Sequence, residues 1–149
     1  MRITRKVEFD MAHRLPDHEG KCRRLHGHRY VVEVAVEGDV LQSGPSNGMV
    51  IDFTDVDAML DAFVKRFDHF TMLYAHDPLF LAMQDAGIDT GAQSEYGVLG
   101  MLFVPTAENL AQYFLDTLVR QEFGACEVTV WETPRSSASA RVPSAQVVQ

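Results

Sequence analysis

The chain has 149 residues, enough for one domain around a single hydrophobic core, and its 46% apolar and 23% charged content is ordinary for a soluble globular protein. A net charge of −8 excludes a general nucleic-acid binder, which needs a basic face, and no apolar run reaches the roughly 20 residues of a bilayer span. Cys22 and Cys126 are the only cysteines, too few for a disulfide framework, so the chain reads as untargeted and cytoplasmic.

The charge is uneven. Residues 1–29 hold eight of the 13 basic residues and four of the 21 acidic ones. A basic segment in an acidic chain suits an anionic small ligand, or is simply a solvated loop.

Residues 2–12 alternate in part (Ile3, Val7, Phe9, Met11), the pattern of a half-buried strand. Residues 14–25, with Pro16 and Gly20, form a loop. Residues 28–37 give a second strand with Tyr30, Val32, Val34 and Val36 on one face, so the first two strands make a hairpin across a loop of functional length. After turn material at 38–48, Thr54 is placed to cap a helix whose apolar stripe is Val56, Met59, Leu60, Phe63 and Phe67. Residues 79–86 suggest a small helix, 87–97 a loop, and 98–104 a short strand or packed connector. Thr106 caps a second amphipathic helix with Leu110, Tyr113, Phe114 and Leu118 inward. Residues 126–131 and 138–142 are two closing strands about a turn at 134–136, and residues 143–149 read as a frayed end. The order is that of one α+β domain spanning 1–149, with helices on one face of an antiparallel sheet and 70–104 as an insertion. The other face needs a cover, which points to assembly.

His26-Gly27-His28 places two imidazoles on one face at the start of a strand, and the hairpin returns His13 beside them. Three neutral imidazoles make a zinc shell with one position open, as in catalytic sites; iron and cobalt also accept such ligands, and ordinary polar histidines at a strand end are the plain alternative. Gly27 lets a ligand approach the backbone. His18 and His76 lack such partners and read as loop residues.

Cys22 precedes His26 by four residues. It is either a fourth ligand, closing the shell, or a base or nucleophile whose thiolate Lys21, Arg23 and Arg24 favour. Asp68-His69 would form a proton-transfer unit if a non-helical bend brought the two side chains together; on a helix end, His69 would merely meet the dipole, and the dipeptide alone favours that simpler reading.

Phe9-Asp10-Met11-Ala12-His13-Arg14-Leu15, the Cys22-to-His28 spacing, Asp52-Phe53, Asp68-His69, Pro105-Thr106-Ala107-Glu108-Asn109-Leu110 and Glu132-Thr133 together resemble the 6-pyruvoyltetrahydropterin synthase family over residues 3–142. The three residues between Cys22 and His26 are similar to its bacterial 6-carboxytetrahydropterin branch; animal pyruvoyl members have a longer gap. The resemblance implies a T-fold that assembles into barrels, commonly a hexamer of two trimers, with active sites between subunits. It implies one Zn2+ per subunit on His13, His26 and His28, a catalytic triad of Cys22, Asp68 and His69, and a pterin held by Glu132 with Thr106 and Glu108 nearby. A carboxylate such as Glu132 can accept two parallel hydrogen bonds from a pterin's amino group and ring N–H. Without the family, Glu132 is a strand-end acid, Thr106 a cap and Glu108 a first-turn acid.

The implied reaction converts 7,8-dihydroneopterin triphosphate to 6-carboxy-5,6,7,8-tetrahydropterin, releasing acetaldehyde and triphosphate, in queuosine precursor synthesis. Its rivals are triphosphate elimination without carbon–carbon cleavage, and a non-catalytic pterin- or zinc-binding protein. Three features depart from the family pattern: Arg29 stands where a small polar residue is usual, 70–104 is longer than in compact bacterial members, and Phe67 replaces a leucine.

Overall fold

The computed structural model describes residues 1–120 and 124–143. The expectation for the chain's end therefore falls, apart from Pro143, outside the described residues.

Strand β1 (Arg2–His13) pairs antiparallel with β2 (His26–Glu37) along its whole length, from Arg2 opposite Glu37 to His13 opposite His26. Alternation sends Phe9, Met11, Tyr30, Val32 and Val34 to one face, where all are buried. Next come α1 (Phe53–Val64), β3 (Phe70–Tyr74), α2 (Pro78–Asp85), β4 (Val98–Met101), α3 (Ala107–Arg120), β5 (Ala125–Thr133) and β6 (Ser136–Arg141). The sheet order is β4-β3-β1-β2-β5-β6.

The β1-β2-β5-β6 part is antiparallel, as the pattern predicts. The inserted segment departs from it. The small helix expected at 79–86 is α2 and the strand expected at 98–104 is β4, but an unforeseen β3 joins them, and β3 and β4 add in parallel to the β1 edge, which makes the sheet mixed. Met72 and Leu73 are adjacent and both fully buried, so β3 lacks the alternation that betrays a half-exposed strand.

Helices α1 and α3 cover one sheet face. Phe63 of α1 meets Phe114 of α3 edge-on at 5.1 Å, and both join Phe9, Leu60, Phe67, Leu110 and Leu118 in one apolar cluster. The cap of α1 is Asp52, whose carboxylate accepts the Thr54 N–H at 2.8 Å, not Thr54 itself. Thr106 does cap α3, with its hydroxyl accepting from Asn109 N at 3.3 Å. Asp77 caps α2 through Leu79 N and also faces the Arg14 guanidinium at 3.0 Å; Asp77 is wholly buried. That ion pair ties the insertion to the end of β1.

Candidate metal and pterin site

The hairpin register brings the three histidines together. His13 and His26 are directly opposed, and His28 follows two residues on along the same face. Their rings lie 4.7–5.1 Å apart, and one nitrogen from each falls within 4.8 Å of the others.

Two of the rings are fixed by carbonyls. His13 Nδ1 donates to Pro105 O and His26 Nδ1 to Arg24 O, each at 2.7 Å. A carbonyl can only accept, so each ring carries its proton on Nδ1 and turns a bare Nε2 lone pair inward. Both Nε2 atoms are buried without any hydrogen-bond partner. Burial lowers the His13 pKa to about 4, and the neighbouring His26 and His28 add to that against the Pro105 bond; burial, then His26, lowers that of His28. Neutral, oriented, unpartnered imidazoles fit a divalent cation of the zinc type.

Glu132 joins this group: its carboxylate comes to 3.8 Å from His13 Nε2. Burial raises its pKa above the usual carboxylate range, and Glu108 adds to the rise while His26 opposes it. Cys22 sits half-buried in a short 3-10 turn, Lys21–Arg23, and its carbonyl accepts Leu15 N at 3.0 Å. The thiol is not a member of the three-histidine group. Arg14, Lys21, Arg23 and Arg24 surround an open cavity of about 640 Å³ beside it.

Asp68 and His69 lie past the end of α1, not on it, which corrects the helix-end reading. His69 adopts φ 64°, and this bend brings its Nδ1 to 3.1 Å from Asp68 Oδ1. The pair clasps β1: Asp68 Oδ1 accepts Asp10 N at 3.0 Å, and His69 N donates to Asp10 O at 2.7 Å. Asp10 points to the face opposite Met11 and His13. Asp10, Arg29, His69 and Thr71 line an open cleft of about 440 Å³, whose wall also includes Met11, Gly27 and His28. Among the described residues, no hydrogen bond or ion pair links Asp68 or His69 to Cys22, Glu132 or the three histidines.

Two further expectations change. Arg29 points away from the histidines and forms a forked pair with Asp10 at 3.1 and 2.9 Å. A Cβ on Gly27 would meet Met11 O at 3.2 Å, so this glycine serves the close approach of β1 rather than that of a ligand. Sequence reasoning also overlooked Tyr30, whose hydroxyl is buried beside the imidazoles, with Glu132 and Cys22 as neighbours. Its place in an alternating strand had marked it as core and nothing more.

A mixed sheet whose central hairpin ends in an open three-imidazole cluster defines a small class of metal-competent α+β proteins. The chain belongs to the 6-pyruvoyl tetrahydropterin synthase family, whose model matches residues 2–143. It is 36% identical to the 6-carboxy-5,6,7,8-tetrahydropterin synthase of Haemophilus influenzae, over 91% of this chain and 94% of that one. The enzyme of the same name from Aquifex aeolicus is 35% identical over 79% and 74%. An uncharacterized protein of Wolinella succinogenes superposes with a TM-score of 0.76 at 26% identity, covering 95% and 97%. The 6-pyruvoyl tetrahydropterin synthase of Caenorhabditis elegans shares the T-fold, with a TM-score of 0.65 at 24% identity over 96% of both chains. Among the described residues, no helix is long and apolar enough to cross a membrane.

Proposed function

We propose that this chain is a zinc-dependent 6-carboxy-5,6,7,8-tetrahydropterin synthase. It takes 7,8-dihydroneopterin triphosphate and water to 6-carboxytetrahydropterin, acetaldehyde and triphosphate. The observation behind this is the cluster of three imidazoles, two with orphaned buried Nε2 atoms, with the Glu132 carboxylate 3.8 Å from one of them. That the Haemophilus influenzae and Aquifex aeolicus relatives carry this activity in their names supports the choice of product.

His13, His26 and His28 would hold the ion. When bound, Zn2+ supplies Lewis acidity toward the oxygens of the substrate side chain. Glu132 receives the amino group and ring N–H of the pterin, with Glu108 and Thr106 at the rim; the Thr106 hydroxyl also caps α3. Cys22, outside the histidine group, accepts the carbon-bound proton, and the basic side chains beside it attract the triphosphate. His69, held by Asp68, carries protons to the opposite side of the substrate. Because this pair clasps the edge of β1 away from β2, with no contact to Cys22 among the described residues, His69 reaches Cys22 from a neighbouring subunit. The active assembly is therefore an oligomer, in the family's manner a hexamer, and its uncovered sheet face is where copies meet. A role in queuosine precursor synthesis in the cytoplasm follows from the product.

Incubating zinc-loaded protein with 7,8-dihydroneopterin triphosphate and identifying every product by mass spectrometry tests the proposal. Acetaldehyde with 6-carboxytetrahydropterin is expected. A pyruvoyl product without acetaldehyde would transfer the chain to the other activity of the family, and binding without turnover would make it a pterin-binding protein.

A further inference from the structure

Tyr30 is a polar side chain beside the histidine cluster that the mechanism above leaves idle. Residue Tyr30 is 0% exposed, and its hydroxyl has no hydrogen-bond partner among the described residues. The ring is locked on three sides: it stacks on Phe9 at 5.6 Å, and the His13 and His28 rings meet it edge-on at 5.8 and 5.6 Å. Glu132 and Cys22 are the titratable side chains that act on the hydroxyl. Continuing the register from Val31 opposite Trp131 sets Glu132 across from Tyr30.

A position that needed only bulk would be served by phenylalanine, as Phe9 serves beside it. A buried hydroxyl without a partner among the described residues is a destabilising choice, and native proteins seldom leave such groups unmatched unless a ligand matches them. The surrounding chemistry says what that ligand atom is. Glu132 and the inward Nε2 lone pairs of His13 and His26 are all acceptors or metal ligands, whereas a phenol O–H donates. A pterin that gives its N–H groups to Glu132 still presents acceptor nitrogens and oxygens, and these need a donor.

We propose that Tyr30 is a further substrate-contacting residue, whose neutral hydroxyl donates a hydrogen bond to an acceptor atom of the bound pterin and so fixes its orientation between Glu132 and the histidines. This rests on the pterin reading above.

The test compares the zinc-loaded parent with Tyr30→Phe, using neopterin as an unreactive probe in titration calorimetry. Tyr30→Phe is expected to bind neopterin about 10-fold more weakly, the worth of one hydrogen bond in a closed pocket. It should keep the parent's zinc content, and its metal-free Tm should be no lower, because removing the orphaned hydroxyl leaves the core intact. Equal neopterin affinity in the two proteins would overturn the proposal, showing that the hydroxyl serves only water or packing. Loss of zinc from Tyr30→Phe would overturn it too, by moving the hydroxyl to the metal shell. A parent that holds zinc yet does not bind neopterin would bring down the pterin reading itself, and this inference with it.

Discussion

Removing the Asp77 carboxylate should loosen the whole insertion. Asp77 has two tasks: it caps α2 through Leu79 N at 2.8 Å, and it faces Arg14 at 3.0 Å from a fully buried position. Losing an N-cap costs about 1 kcal/mol. Breaking a buried ion pair costs about 3–5 kcal/mol, reduced here because the Arg14 side chain keeps 20% exposure and can rehydrate. Asp77→Ala should therefore lose about 3 kcal/mol, a Tm drop of roughly 6–12 °C at this chain length. Asp77→Asn retains an oxygen for the cap and should lose about half as much. Arg14→Met strands the wholly buried carboxylate and should cost at least as much as Asp77→Asn. Urea denaturation of the metal-free single and double variants gives the coupling energy directly. A coupling below about 0.5 kcal/mol would refute the account and leave the pair as mere proximity.

Other outcomes follow from the site. Cys22→Ala should keep one zinc per chain by metal analysis while losing turnover; loss of zinc would instead make Cys22 a fourth ligand. The metal-free protein should weaken in mild acid. His13 is held near pKa 4 in the fold against 6.5 when unfolded, so between these values the unfolded chain binds the extra proton. Stability from this group is full above pH 6.5 and falls by about 3 kcal/mol on descending to pH 4. A His13→Gln variant should show a shallower pH slope across that window, and an unchanged slope would place the acid sensitivity elsewhere. His69→Gly should abolish turnover yet keep or raise Tm by up to about 1 kcal/mol equivalent, since glycine accepts φ 64° freely, whereas His69→Val should lower it. Equal melting of the two would mean that the bend is not strained.

What the sequence reveals and what it hides divides along physical lines. The β1–β2 hairpin is legible because alternation and pairing are local, and His13, His26 and His28 inherit their convergence from it. Strand β3 is hidden, being five residues long, with burial that does not alternate; β4 shows as a short apolar run at 98–104, but the parallel pairing of both strands is set by topology rather than by neighbours in the chain. Asp52 and Thr54 are both capping residues, and only the extended backbone at Asp52 (φ −69°, ψ 131°) shows which one starts α1. The Asp68–His69 contact depends on a left-handed backbone that no side chain at that position announces. Tyr30 differs from a core phenylalanine by one oxygen, and that oxygen matters only because nothing in the fold meets it.

The clasp of Asp68 and His69 onto Asp10, on the edge of β1 away from β2, bears on how genetic damage would combine. If each reaction centre takes Cys22 from one copy and His69 from another, a chain inactivated at Cys22 and a chain inactivated at His69 are defective in different halves of the same centre. Co-folded in equal amounts, the two inactive proteins would rebuild about one intact centre in four by random pairing. Two null alleles would then complement each other within a single gene, and activity would report the assembly without any structure of it.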